Sequence, residues 1–466
     1  MSAIRHSIIS FALVAAVLLT GCQSAAVTPS DASAATGTAT PSPFPVIPTP
    51  AAESPVAAPV AGNPVTGVVA RYTLPPTPLR SIEPAIANDR GILLGGIGSD
   101  LWRGPGDPPT QFWMITDRGP NAQEKVKGKD RRAFPVPDFA PAILRVATAG
   151  NAITLLEVIP LSGSDGAPIS GLPNLPGHDD KGYTFDGETK LPYDPSGLDP
   201  EGLVRTQQGD FWAADEYAPS LLHIAADGRV LTRYVPQGLD YAGANYPVAA
   251  TLPALYARRN SNRGFEGLAL SPDERTLYAV LQSPLDNPDK SVRERARLTR
   301  ILAFDPATGQ LLGEYAYQIE PFAAFDPRAK EQSDMKISGL VAATSNQLLV
   351  LERTDDVASV YAVDLSQATN LLGSVWDDPA TTPGLEALLH PAGAGVIPLP
   401  KTLVVNLANL PGIPAKIEGL ALVDAHTLAF ANDNDFDLGG FDSQGINQPN
   451  GVVNEIVLVA LAAALP

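Results

Sequence analysis

Glu201-Gly202-Leu203 leads to the apolar run Phe211-Trp212-Ala213-Ala214, which ends in Asp215-Glu216. The phrase returns as Glu266-Gly267-Leu268 before Leu277-Tyr278-Ala279-Val280-Leu281-Gln282. It returns again as Glu418-Gly419-Leu420 before Leu428-Ala429-Phe430-Ala431-Asn432-Asp433. A variant, Ser338-Gly339-Leu340, precedes Leu348-Leu349-Val350-Leu351-Glu352-Arg353. A looser copy runs from Gly96-Ile97-Gly98 to Phe112-Trp113-Met114-Ile115-Thr116-Asp117-Arg118. From Glu201 onward copies are separated by about 65 to 80 residues, longer than the usual propeller period of about 40–50.

Each copy carries about four strand-like runs. In the second they are Gly202 to Arg205, Phe211 to Asp215, Leu221 to Ala225 and Val230 to Tyr234, with a hairpin signal at Ala226-Asp227-Gly228. Long helical periodicity is nearly absent. The pattern predicts an all-β chain, a β-propeller of four-stranded antiparallel blades. Five modules can be counted, and a degenerate sixth has room in Ser162 to Pro195 or Asp377 to Pro400. The strands Val68 to Leu74 and Asn454 to Ala460 each lack a sequence neighbour. Pairing them would let an N-terminal strand complete the last blade and close the ring.

The N-terminus carries an address. Arg5 precedes an apolar run, Ile8 to Leu19, too short to span a bilayer, and Leu19-Thr20-Gly21-Cys22 follows as a cleavage site. This resembles the lipobox of bacterial lipoproteins, with Cys22 as the lipidated residue and Gln23 next to it, which resembles outer-membrane sorting. Cys22 is the single cysteine, so no internal disulfide can form. Residues 1–22 read as signal peptide and lipobox, 23–65 as a disordered Pro/Ala/Ser/Thr tether, and 66–466 as the propeller domain. The expected location is the cell envelope, at the outer membrane or its periplasmic or surface face, with membrane contact through the lipid alone.

A net charge of −18 argues against nucleic acid as a partner and suits bound divalent cations. The same charge also describes a soluble surface kept apart by repulsion, and the domain is expected to be a monomer. In a four-stranded blade, the start of the first strand and the end of the second lie on one face of the disc. Glu201, Glu266 and Glu418 stand at first-strand starts. Asp117, Asp215, Glu216, Glu352, Asn432, Asp433 and Asp435 stand at second-strand ends. Arg118, Arg263 and Arg353 are interleaved, with Asn121 and Asn262 nearby. The geometry predicts a ring of carboxylates and arginines at one channel mouth. Crowded carboxylates need cations, shared protons or arginine partners, and Ca2+ takes six to eight oxygen ligands. The competing reading has each Glu capping a neighbouring blade through backbone N–H groups and each Arg pairing with an acid.

Asn432-Asp433-Asn434-Asp435-Phe436-Asp437 is a second cation candidate, though not an EF-hand, since Leu438 holds the place of the turn glycine. No G-x-S-x-G elbow, P-loop or dinucleotide fingerprint occurs, and the five histidines show no zinc spacing.

Five motifs in order resemble the bacterial phytase-like family, described as having esterase-like activity of phytase. They are Asp117-Arg118-Gly119-Pro120-Asn121, Gly197-Leu198-Asp199-Pro200-Glu201-Gly202, Asp215-Glu216-Tyr217-Ala218-Pro219, Asn262-Arg263-Gly264-Phe265-Glu266-Gly267 and Asn432-Asp433-Asn434-Asp435-Phe436. The resemblance covers essentially everything after the tether. It implies hydrolysis of a small anionic ester, above all a phosphomonoester, with bridging calcium ions that bind phosphate and activate water. Combined with the ring of strand ends, this gives an expected catalytic set of Asp117, Arg118, Asp215, Glu216, Arg263, Glu266, Glu352 and Arg353, with metal ligands among Glu201, Glu418, Asn432, Asp433 and Asp435. The chain departs from a phytase in lacking a lysine-rich phosphate cleft. A metal-dependent lactonase and a non-enzymatic cell-surface binding propeller are the other readings.

Overall fold

Every Glu-Gly-Leu phrase lies in the inner strand of a blade in the computed structural model, which describes residues 65–465. Cys22, the signal segment and nearly all of the proposed tether lie outside the described residues. Among the described residues, no helix is long and apolar enough to cross a membrane.

The first blade comprises Asp100–Trp102, Gln111–Ile115, Ala142–Ala149 and Ala152–Pro160. The second comprises Pro200–Arg205, Phe211–Asp215, Ser220–Ile224 and Val230–Pro236, with Val248–Leu252 added in parallel at its edge. The third holds Phe265–Leu270, Leu277–Leu281, Leu298–Asp305 and Gln310–Gln318. The fourth holds Lys336–Ala342, Gln347–Arg353, Ala358–Asp364 and Lys401–Asn406. The fifth is built from Ile417–Asp424, Thr427–Asn432, Glu455–Leu461 and the N-terminal strand Val65–Thr73. Val65–Thr73 runs antiparallel to Glu455–Leu461, from Val65 opposite Leu461 to Thr73 opposite Glu455.

No sixth blade forms among the described residues. Ser162 to Pro195 contributes only the short strand Gly182–Tyr183, which joins the hairpin Ala122–Val126 and Lys129–Ala133. Asp377 to Pro400 carries only short 3-10 turns. Pro and Gly in both segments interrupt any strand-length run.

Alternation along each strand explains the core. Side chains at even and odd positions point to opposite faces, so each blade feeds two interfaces. Leu203, Phe211 and Ala213 pack with Trp113 and Ile115 of the first blade. Their neighbours Val204, Trp212 and Ala214 pack with Leu268, Leu277 and Ala279 of the third. Separate apolar clusters fill the interfaces of the third and fourth blades, the fourth and fifth, and the fifth and first.

The glycine of the repeated phrase sets how closely the inner strands approach. A Cβ on Gly267 would lie 2.3 Å from the Ser338 carbonyl oxygen, and one on Gly202 would lie 2.7 Å from that of Glu266. In the first blade the equivalent position is Asp100. Its buried carboxylate accepts the Leu203 N–H at 2.8 Å and its own blade's Leu101 N–H at 2.8 Å. Here the capping role considered for the glutamates is performed by an aspartate.

Candidate functional site

Inner strands all start on one face of the disc, and second strands end there. The backbone marks a row of equivalent residues at those ends. The N–H of Asp117 donates to Gly96 O, that of Glu216 to Asp199 O, that of Gln282 to Gly264 O, and that of Asp433 to Lys416 O. Arg353 pairs with Lys336 at the same place in the fourth blade. Asp117, Glu216, Gln282, Arg353 and Asp433 therefore form one row, above the inner-strand row of Glu201, Glu266, Ser338 and Glu418.

On the side of the fourth and fifth blades the acids of this mouth are paired with cations. The Arg353 guanidinium pairs with Glu418, lies 3.7 Å from Glu266 and donates to Ser338 Oγ at 2.7 Å. Glu266 also accepts from Gln282 Nε2 at 2.6 Å. Lys416 Nζ lies 2.5 Å from Asp433 Oδ2 and also pairs with Asp435. Lys336 Nζ lies 2.9 Å from Asp355, whose carboxyl, though raised by its partial burial, is held down at about 2 by Lys336 and Arg353.

The second-blade side differs. One carboxylate oxygen from each of Asp199, Glu201 and Glu216 falls within 4.8 Å of the others. Glu216 is 1% exposed, and its Oε1 has no hydrogen-bond partner. Asp199 accepts the Arg118 N–H at 3.2 Å through Oδ1. Its Oδ2 lies 3.1 Å from Arg118 Nη1 as an ion pair, but without hydrogen-bond alignment. Glu201 is partly accessible from the mouth. Burial raises all three carboxyls above their usual range, Glu201 and Glu216 well above it, and repulsion within the group adds to the shift at Glu201 and Glu216. Glu266 is a further like charge acting on Glu201 and Glu216, while Arg118 opposes the shift at Asp199 and Glu216. A divalent cation fits this donor set: three oxygen-bearing side chains, two with buried oxygens that accept no hydrogen bond.

Two arginines border the triad. Arg118 is buried beside Tyr217, with its guanidinium 5.6 Å from the ring centre. Burial works against its charge, but Asp199, Tyr217, Glu216 and Asp117 hold it protonated. Arg263 donates to Ser283 Oγ at 2.8 Å and to Ser333 O at 2.7 Å, and forms no ion pair among the described residues. Burial lowers its pKa, partly offset by Glu216. Asp117 is buried beside Arg118: burial and the charges of Asp433 and Asp199 push its carboxyl well up.

Residues 92–436 match the phytase-like family, described as esterase-like activity of phytase. The chain belongs to that family. An uncharacterized secreted protein of Arthroderma benhamiae is 30% identical over 308 residues, 55% of this chain and 57% of the relative. The match thus spans little more than half of that curated protein. Among solved structures, the chain is similar to luciferin-regenerating enzyme, at 11% identity and a TM-score of 0.35 over 80% of this chain and 94% of that one. It is similar also to hydrazine synthase of Kuenenia stuttgartiensis, at 11% identity and a TM-score of 0.35 over 79% and 97%.

In this phytase-like chain, several residues expected at the mouth face elsewhere. Asp215 turns into the second blade, where Arg233 Nη2 lies 2.6 Å away. Glu352 turns toward Tyr317 and Lys401. Asn432 binds Val453 O at 3.0 Å and the Glu455 N–H at 2.7 Å. All three directly precede a mouth-facing residue, and neighbours on a strand point opposite ways. Glu418, Asp433 and Asp435 do reach the mouth, but they are already paired with Arg353 and Lys416.

The loop from Asn432 to Asp437 is anchored by apolar packing. Phe436 is buried against Phe139, with ring centres 5.3 Å apart, and Asn434 Oδ1 accepts the Gly96 N–H at 3.1 Å. Asp435, Phe436 and Asp437 all take left-handed backbone angles. Asn121 supports the rim by accepting from Arg132 at 3.0 Å. The buried Oδ1 of Asn262 has no partner.

Three residues at the mouth were not anticipated: Asp199, Lys336 and Lys416. Each lies two positions before the phrase residue Glu201, Ser338 or Glu418. On an extended strand, that spacing puts both side chains on one face.

Proposed function

We propose that this chain is an exported, metal-dependent hydrolase of a small anionic ester, most fittingly a phosphomonoester, acting at the acidic mouth. The observation that carries this reading is the Asp199–Glu201–Glu216 group, with ligand atoms within 4.8 Å of one another and buried oxygens on Asp199 and Glu216 left without hydrogen bonds. A calcium-type cation held there would neutralise the carboxylates and polarise a phosphoryl oxygen or a bound water. Arg118 holds Asp199 in place and adds its positive charge to the site, where an anionic group would be attracted. Arg263, fixed by Ser283 and Ser333, supplies a second positive group that can stabilise charge growing on the transferred group. Family membership supports ester chemistry, and the secreted relative supports export.

Metal analysis together with a panel of chromogenic phosphomonoesters, carboxylic esters and lactones tests the proposal. The expected result is phosphomonoester hydrolysis that chelation abolishes and calcium restores, lost in Glu216→Gln with the fold retained. Lactone hydrolysis alone would move the assignment to a lactonase. A protein that binds no divalent cation and cleaves nothing in the panel would overturn it.

A further inference from the structure

The opposite end of the propeller axis carries a second concavity, with a volume of about 630 Å³. It is lined by the far ends of the inner strands and the turns that follow them, including Leu101, Trp102, Leu270, Leu340, Leu420 and Leu422. The acids of the mouth stand at the other ends of these same strands, so this cavity is a separate site. Its size falls in the range of small-molecule pockets, about 300–1,000 Å³, and its walls are mainly apolar.

One charged group in the lining is left without an acceptor. The Arg205 guanidinium lies 5.0 Å from the Trp113 ring centre and 5.8 Å from that of Phe211. Its Nε is buried without a hydrogen-bond partner, as is the neighbouring Thr206 Oγ1. The acids at the rim are already engaged with backbone. Asp107 accepts the Gly104 N–H at 2.9 Å, Glu274 the Gln207 N–H at 2.8 Å, and Asp424 the His426 N–H at 2.8 Å. Arg103, also in the lining, is bound to the carbonyls of Val423 at 3.0 Å and Pro108 at 3.3 Å. The cavity thus combines apolar walls with a cation that has no ion-pair partner among the described residues. The partly accessible Arg205 guanidinium makes no hydrogen bond or ion pair among the described residues, so an anionic ligand in the cavity would supply its missing counter-charge.

We propose that this cavity binds a small amphipathic carboxylate, with its apolar body against Leu101, Trp102, Leu340 and Leu420 and its head group on Arg205. This goes beyond the hydrolase reading and does not depend on it. Decanoate, decanol and decyltrimethylammonium serve as probes, titrated by calorimetry against the full chain below their micelle concentrations. Decanoate should bind at least tenfold more tightly than decanol, and decyltrimethylammonium should not bind. Arg205→Gln should weaken decanoate at least tenfold and leave decanol unchanged. Because Arg205 also stacks on Trp113, a second variant, Leu422→Trp, fills the cavity from a half-buried position and should abolish decanoate binding without lowering the melting temperature. Failure of decanoate to bind the native chain, equal binding of decanoate and decanol, or unchanged binding to Leu422→Trp would each overturn the assignment.

Discussion

Asp215 and Glu216 are adjacent in the chain, yet their carboxylates serve opposite sides of the second blade. Asp215 Oδ1 lies 2.6 Å from Arg233 Nη2, and its Oδ2 accepts the Asp199 N–H at 2.9 Å. Arg233 is held in turn by Ser220 Oγ at 2.9 Å and the Tyr246 hydroxyl at 3.0 Å. Asp215 therefore supports the site from behind by fixing the backbone of Asp199, whereas Glu216 faces the mouth itself.

The two should separate in stability measurements. Asp215→Asn leaves Arg233 buried without its counter-ion, and breaking such a pair costs about 3–5 kcal/mol. Glu216→Gln replaces a buried carboxyl whose Oε1 accepts no hydrogen bond, so its stability in chelator should equal or exceed that of the native chain. The rise in melting temperature on adding calcium should disappear in Glu216→Gln, because cation binding to the folded state is its source. A full calcium-induced rise in that variant would exclude Glu216 as a ligand.

The glycine of the repeated phrase should be intolerant of even one methyl group. At Gly267 the added Cβ would meet the Ser338 carbonyl oxygen at 2.3 Å, a backbone atom of the next blade. Overpacking of this kind costs about 1–3 kcal/mol or more. Gly393, where a Cβ would meet nothing within 4 Å, is the control, and Gly393→Ala should stay within about 0.5 kcal/mol of the native chain. Urea denaturation midpoints of the two variants provide the comparison, and equal midpoints would show that the inner strands can separate to accommodate the methyl.

The repeated phrase exposed the blades because it marks the positions where inner strands approach most closely, and such positions restrict residue choice strongly. The face of the disc followed from strand direction. Which of two adjacent polar residues faced the mouth did not follow from the ends alone, as Asp215 and Glu352 show. Strict alternation from Glu201 and Glu418 leads to Asp199 and Lys416, two residues earlier on the same strand face. The partition of the mouth into a cation-paired side and an acidic side depends on contacts between blades. Arg353 reaches Glu418, which is 65 residues away in the chain, and nothing local in the sequence specifies that pairing.

Arg353 and Glu418 should be energetically coupled. Arg353→Met leaves Glu418 and Glu266 buried near each other without their shared cation, a loss of about 3–5 kcal/mol. Adding Glu418→Gln removes one of the stranded charges and should recover at least about 1 kcal/mol. A double-mutant cycle from denaturant unfolding measures this term. Strict additivity would mean that the ion pair contributes no coupling of its own.

Glu83 should give the fold a dependence on pH outside the mouth. Its Oε2 accepts the Ala140 N–H at 3.0 Å, and its Oε1 is buried without a partner. Burial pushes its carboxyl up from 4.5 to about 7, against the Ala140 hydrogen bond, and the nearby acid Asp138 adds to the rise. The folded chain therefore keeps a proton on Glu83 that the unfolded chain has released. Stability from this group is fully present below pH 4.5 and declines as pH rises toward about 7. At about 1.4 kcal/mol per pKa unit, discounted for partial solvent access, the loss should amount to about 1–3 kcal/mol. Glu83→Gln keeps an acceptor for Ala140 and cannot ionise. Its melting temperature should match the native chain near pH 4.5 and exceed it at pH 8. A gap between the two that stays constant over that range would show that Glu83 does not titrate in the fold.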